Sequence, residues 1–357
     1  MPLRPLLSAV LAPVIVIAVA VAAGSWASAR QPDTRSSLVS ALDSLPRGTV
    51  VAGFTDWATI RDDLGLGAAS SAAGRAALAD DASLRDLTTR SVLGGVISDM
   101  HTAYGWSAAD LEWESYGQAP AGAAMVARFS GSVSIGDVED RLDTLGYTRS
   151  GGVWTLGADA AAGVGPQLAA TLGNLAFDAR RHLVVAADRP AYVPEVLAAI
   201  RGDDPSALSV RPLADVAATL AGSDTAVVQS GAFACRATSI AALGADVQAQ
   251  AEAAVARAGE LATPMFTGRG LVDGTRSQTI RFAAAFGSPA QAAEQSRVRA
   301  ALSTGPFIGR SGRVEDSLDL RDATASGSVT TLRFALDPDA GAYMSGEGPA
   351  LFAGCPL

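Results

Sequence analysis

Apolar positions recur along this chain at two spacings, and the change from one to the other marks most of its elements. Leu38, Val39, Leu42 and Leu45 keep helical spacing and stop at Pro46-Arg47-Gly48. Thr49 to Phe54 then runs as a short apolar strand. Leu64 to Ala79 is rich in Ala, Gly and Ser with little periodicity, which predicts loop or marginal helix. From about Ser83 to Tyr104 the stripe Leu84, Leu87, Val92, Val96, Ile97 and Met100 predicts one long helix ended by Gly105. Ser107 with Asp110 makes a capping-box pattern ahead of Leu111 to Gly117. Ala124 to Phe129 reads as a strand, followed by an amphipathic helix on which Ile135, Val138, Leu142 and Leu145 share a face. Ser134 and Asp137 cap that helix, and Gly146 follows its end. Tyr147 to Leu156 reads as a hairpin closed by Gly151-Gly152, and Leu175 to Phe177 with Leu183 to Ala186 as a second. Ala158 to Gly173 separates the two hairpins, and a helix is expected from Pro190 to Ile200.

Beyond the break at Gly202-Asp203-Asp204-Pro205 the order of elements recurs. A helix with Leu213, Val216 and Leu220 precedes Thr225 to Val228, as Leu38 to Leu45 precede Thr49 to Val51. An Ala-rich helix, Ala241 to Leu261, takes the place of the Ser83 to Tyr104 helix, and Pro264-Met265-Phe266 follows it. Thr279 to Ala283 matches Met125 to Phe129. Ser288, just after Phe286, caps a helix carrying Val298 and Leu302, much as Ser134 follows Phe129. Ser317 to Leu320 and Thr331 to Leu336 close the pattern as a strand pair. The expected class is therefore α+β: two related lobes, 36–205 and 206–357, each a mixed or antiparallel sheet with helices on one face, joined by internal duplication.

Leu6 to Ala23 changes the picture of where this protein lives. It is uncharged, strongly apolar, and long enough to cross a bilayer core, which takes about 20 residues. Residues 1–29 read either as a signal peptide with Arg4 in the n-region and Ala27-Ser28-Ala29 as cleavage triplet, or as an uncleaved signal anchor; 30–35 is a polar linker. Either way the remainder is expected outside the cytoplasmic membrane, secreted or membrane-anchored. The formal net charge of −9 makes nucleic acid and anionic lipid surfaces poor partners.

Chemistry is sparse. His101 and His182 read as surface or helix-end residues. There is no Lys for a Ser-Lys pair, no H-E-x-x-H, and Gly309-Arg310-Ser311-Gly312 falls short of a nucleophile elbow. Gly163-Val164-Gly165 and Gly268-Arg269-Gly270 do not sit in a dinucleotide-binding arrangement. Glu112 and Glu114 flank Trp113 near Tyr116, a composition found at sugar sites, but alternation would put both acids on one face of an edge strand and Trp113 in the core. Both acids are therefore expected to be dispensable. Glu315, Asp316, Asp319 and Asp322 lack the spacing of a calcium loop and read as a solvated strand face. No catalytic, cofactor-binding or metal-ligating set is expected, and no cofactor.

Cys235 and Cys355 are the only cysteines, and in an oxidising compartment they are expected to be bonded to each other. The closed loop of about 120 residues corresponds to about 4 to 5 kcal/mol in the chain-entropy model. Two buried thiols, or an intermolecular bond through Cys355, are the alternatives. The reading that results is a non-catalytic binding or scaffold protein of a bacterial cell envelope, whose partner is an envelope protein or, as an apolar-ligand carrier, an apolar small molecule. The alternative is an envelope hydrolase using a carboxylate pair. An uncleaved amino-terminal segment would add the cytoplasmic membrane as a partner.

Overall fold

Every residue of the strand Leu183–Ala187 is buried, as are most of Thr225–Ser230 and Gly122–Phe129. Strands apolar on both sides need cover on both sides. The structure, a computed structural model, describes residues 36–238, 244–274, 277–337 and 350–356. Its elements begin with α1 (Ser37–Asp43), β1 (Val51–Thr55), α2 (Trp57–Asp63), α3 (Ala72–Leu84), α4 (Ile97–Tyr104), β2 (Leu111–Ala119) and β3 (Gly122–Phe129). There follow α5 (Ile135–Thr144), β4 (Tyr147–Ser150), β5 (Val153–Leu156), α6 (Ala158–Val164), α7 (Pro166–Leu172), β6 (Asn174–Asp178), β7 (Leu183–Ala187) and α8 (Val193–Arg201). The second half comprises α9 (Arg211–Thr219), β8 (Thr225–Ser230), α10 (Gly231–Ala237), α11 (Ala245–Ala258), β9 (Phe266–Asp273), β10 (Gln278–Ala285), α12 (Pro289–Ala301), β11 (Leu318–Ser326) and β12 (Val329–Leu336).

These strands form one antiparallel sheet in the order β11-β12-β10-β9-β8-β1-β2-β3-β7-β6-β5-β4. Along β3, Met125, Ala127 and Phe129 enter one core cluster while Ala124 and Val126 enter the other. On the first face pack α2 to α7, α11 and α12; on the second pack α1, α8 and α9. The expectation of helices on one face is corrected by that alternation. Among the described residues no helix is long and apolar enough to cross a membrane. The Leu6 to Ala23 run, with the choice between signal peptide and anchor, lies outside the described residues.

The halves meet where β1 pairs with β8, Val51 opposite Gln229 and Thr55 opposite Thr225. Asp56 N donates to Asp224 O at one end of this seam and Ser230 N to Val50 O at the other, both at 2.7 Å. Outward from the seam the strand order is β1-β2-β3-β7-β6 on one side and β8-β9-β10-β12-β11 on the other. The chain after Gly202 also returns to the first helix: Ser206 Oγ donates to Asp43 at 2.6 Å and Ala207 N to Leu45 O at 2.8 Å.

Of the long helix expected over Ser83 to Tyr104, only Ile97–Tyr104 stands as a helix of its own, and Ser83 and Leu84 are the end of α3. The chain leaves α3 through Asp86, whose φ is 61°, and re-enters helix only at Gly94. Glu114 holds the intervening loop. Its carboxylate, 1% exposed, accepts from Trp57 Nε1 at 3.0 Å, Ser91 Oγ at 2.5 Å and Val92 N at 2.6 Å. The loop so clamped lies across the seam: a Cβ on Gly53 would come 3.0 Å from Arg90 O, so only glycine lets β1 pass beneath it without displacement. Likewise the Leu64 to Ala79 stretch, expected as loop or marginal helix, supplies the start of α3, with Ser71 capping it.

Glu112 and Glu114 do not share a face. A register shift between Leu111 and Trp113 inserts one residue into β2. Glu112 pairs with Arg128 at 3.0 Å, half exposed, while Glu114 turns into the core on the other side. Strand β2 is interior to the sheet, between β1 and β3, and not an edge. The expected place of Glu114 on the open face of an edge strand is corrected accordingly: burial pushes its carboxyl up, and hydrogen bonds from Ser91, Trp57, Val92 N–H and Leu93 N–H oppose that push.

The Asp56 end of the seam gathers acids. Asp224, 4% exposed, accepts from Asp273 N at 2.5 Å; burial first, then the nearby Asp63, Asp56 and Asp273, push it up to about 7. Arg85 pairs with Asp273 at 2.9 Å.

Two outcomes follow. Glu114→Ala strands the buried Trp57 Nε1–H and the partly buried Ser91 and Val92 donors and should cost about 2 kcal/mol or more in chemical denaturation, whereas Glu112→Ala removes a half-exposed pair and should cost under about 1 kcal/mol. Asp224 in the folded protein holds its proton to higher pH than in the unfolded chain, so stability falls as pH rises from about 4 to about 7. Asp224→Asn, which keeps an acceptor for Asp273 N, should flatten that part of the Tm-against-pH curve relative to the native protein.

Candidate functional site

On the first face of the second half-sheet, strand alternation brings Ile280 and Phe282 of β10 beside Phe334 of β12, which pairs with Ile280 across the ladder. Phe307 and Arg310, from the loop after α12, wall one side, with the Arg310 guanidinium 5.2 Å from the Phe307 ring centre. The carboxyl-terminal segment closes the top. Phe352 lies 4.9 Å from Phe334 and 6.0 Å, edge on, from Phe282. What remains beneath is a largely apolar pocket of about 40 Å³.

Arg299 holds this segment down. It is 0% exposed, and its guanidinium donates through Nη1 to Phe352 O at 2.7 Å and Gly354 O at 3.0 Å, and through Nη2 to Ala262 O at 3.0 Å. Its carbon sits 5.5 Å from the Phe286 ring centre and 5.9 Å from that of Phe282. All three acceptors are neutral carbonyls, and Nε has no partner. Removal from water without a compensating carboxylate lowers its pKa to about 10. A planar fork suits this role, because one side chain bridges two stretches of main chain.

Cys355 then bonds Cys235, with Cα atoms 5.3 Å apart. The expected disulfide is present, with Cys235 in α10. That helix starts at Gly231, where a Cβ would meet Pro264 O at 1.8 Å, so glycine is what brings α10 against the turn ahead of β9. On the other flank of the segment lies a groove of about 290 Å³ between α11 and α12, lined by Ala254, Ala258, Leu302, Ile308 and Leu351. The described linings of pocket and groove contain no carboxylate, imidazole or thiol. They suit binding of an apolar group near cations, not proton transfer or nucleophilic attack.

The other residues singled out from sequence serve structure. His182, at φ 59°, places its ring nitrogens 3.2 Å from Phe129 O and 2.9 Å from Val133 O. His101 lies 3.9 Å from Asp110, and Asp110 itself caps the turn at Ser107. Glu315 and Asp316 bond Arg313 and its backbone, Asp319 pairs with Arg321, and Asp322 with Arg333. Gly268 and Gly270 lie within β9 and Gly309 to Gly312 in the loop after α12. A further groove of about 360 Å³ beside Tyr104, Trp106 and Asp137 has Arg141 committed to Ala103 O at 2.7 Å. Arg299 is the residue that pattern reading missed. Its sequence signal is faint: an Arg on the same helix face as Ala292 and Gln295.

No protein-family model and no curated protein matches the sequence. Among solved structures, crystal form III of TP0453 superposes with a TM-score of 0.38 and crystal form I with 0.39. Each is 8% identical to this chain, and each match covers 84% of this chain and 94% of the other.

Proposed function

We propose that this chain is a non-catalytic binding protein of the bacterial cell envelope, exported or anchored by its amino-terminal segment, and that it carries an apolar ligand bearing negative charge. The observation that carries this reading is the pocket on β10 and β12: aromatic side chains converge there with Arg269 and Arg310 in the lining and Arg299 5.9 Å from the Phe282 ring centre, with no acid, imidazole or thiol in the described lining. The Cys235–Cys355 bond is in keeping with a compartment outside the cytoplasm.

The alternative of a carboxylate-pair hydrolase has little to rest on, since Glu114 is sealed in the core and Glu112 is spent on Arg128 on the opposite face. The lobes 36–205 and 206–357 are read as a duplication fused through the seam. In support, Thr49 and Ser223 each bond back to the carbonyl three residues earlier, Pro46 and Leu220, and Gly117 and Gly270 each sit under a leucine, Leu45 and Leu220. The first lobe then carries β4, β5, α6 and α7 as an insertion where the second has only a loop.

Organic extraction of the protein purified from its native host, followed by mass spectrometry, should release an amphiphilic acid in near-stoichiometric amount. A preparation from which nothing is released, and which takes up no such compound when exposed to host lipid extract, overturns the carrier reading.

A further inference from the structure

We propose that the segment Leu351–Cys355 is a resident occupant of the site for a long-chain carboxylate, and that reduction of the Cys235–Cys355 bond releases it; this rests on the carrier reading above. Arg299 supplies the first ground. Two carbonyls of the segment converge on its Nη1, at 2.7 and 3.0 Å, in a fully buried place where a carboxylate would bring two acceptors and the missing charge together. Phe352 supplies the second, filling apolar space between Phe282 and Phe334 as a hydrocarbon chain would.

The third ground is volume. The pocket of about 40 Å³ is bounded by Ala350, Phe352 and Ala353, and the groove of about 290 Å³ by Leu351. The segment thus borders both, together with the loop 306–310. Its withdrawal opens the space over Phe282 and Phe334 beside the groove, towards the size of small-molecule sites, about 300–1,000 Å³. Arg257 lines the groove and Arg310 the pocket, so the opened space is cationic in a chain of net charge −9.

The bond is open to attack, because Cys235 and Cys355 are both partly exposed. A thiolate of a dithiol reductant attacks one sulfur and expels the other as thiolate. The reductant's second thiol then displaces the protein, leaving two cysteine thiols on the chain and a disulfide on the reductant, a two-electron exchange. With the bond closed, the open form is a small fraction of the population and apparent affinity is reduced by that fraction.

The test is fluorescence titration of the purified full chain with cis-parinaric acid, comparing oxidised protein with protein reduced by dithiothreitol and capped with iodoacetamide. Reduction should tighten binding about tenfold or more. The methyl ester should gain much less, and Arg299→Gln should lose the preference for the acid. Phe352→Ala, with the bond intact, should tighten binding in the oxidised protein, and that arm decides if circular dichroism finds the reduced chain unfolded. Equal affinity in the oxidised, reduced and Phe352→Ala proteins overturns the gate and leaves the carrier reading standing. No binding in any of them overturns both.

Discussion

The pairing of β1 with β8 is the constraint on which the rest of the molecule depends. It turns two half-sheets into one sheet, and it buries β1 and β8 between neighbours on both sides and helices on both faces. Because β1 is only five residues long, the seam relies on what lies above and beneath it. Gly53 admits the Arg90 loop, Glu114 fixes that loop, and Trp57 ties α2 to the same carboxylate. The buried acid is tolerated because Trp57, Ser91 and Val92 each donate to it, and the buried Trp57 Nε1–H would otherwise be an orphan. Burial and the neighbouring Asp63, Asp56 and Asp273 raise the cost of ionising Asp224 at the very point where the halves join.

The two halves solve the same covering problem in different ways. In the first, α6 and α7 bring Val164, Leu168 and Leu172 onto the face that β5 and β6 extend. In the second, cover comes from α11, α12 and the carboxyl-terminal segment, which is fastened by a guanidinium and a disulfide instead of by a hairpin and helices. Cover of that kind can be withdrawn without unpairing any strand.

Much of this was legible from the residues, where local physics decides. The Ser134 cap and its amphipathic helix and the Gly151-Gly152 hairpin with both glycines at positive φ follow from spacing and turn chemistry. Cover on both faces was also written in the chain, since Leu183 to Ala187 is uninterrupted by a polar residue, yet a continuous run is as easily read as a strand of one buried face. The break between α3 and α4 was not legible, because its cause is Glu114, more than twenty residues away. Nor was the inserted residue in β2, which separates Glu112 from Glu114 although their spacing puts them together. Arg299 was hidden most deeply. Its partners lie 37, 53 and 55 residues away along the chain, and arginine in a helix is ordinarily a solvated residue.

The claim that two half-sheets act as one body through the β1–β8 seam is tested most directly by native-state hydrogen exchange followed by mass spectrometry of the disulfide-intact protein. Amides of Val51 to Thr55 and Thr225 to Ser230 should exchange only through the same global opening, with one free energy and one dependence on denaturant. Two classes of opening, one confined to residues before Pro205 and one to residues after it, with the seam amides exchanging faster than either, would contradict the account.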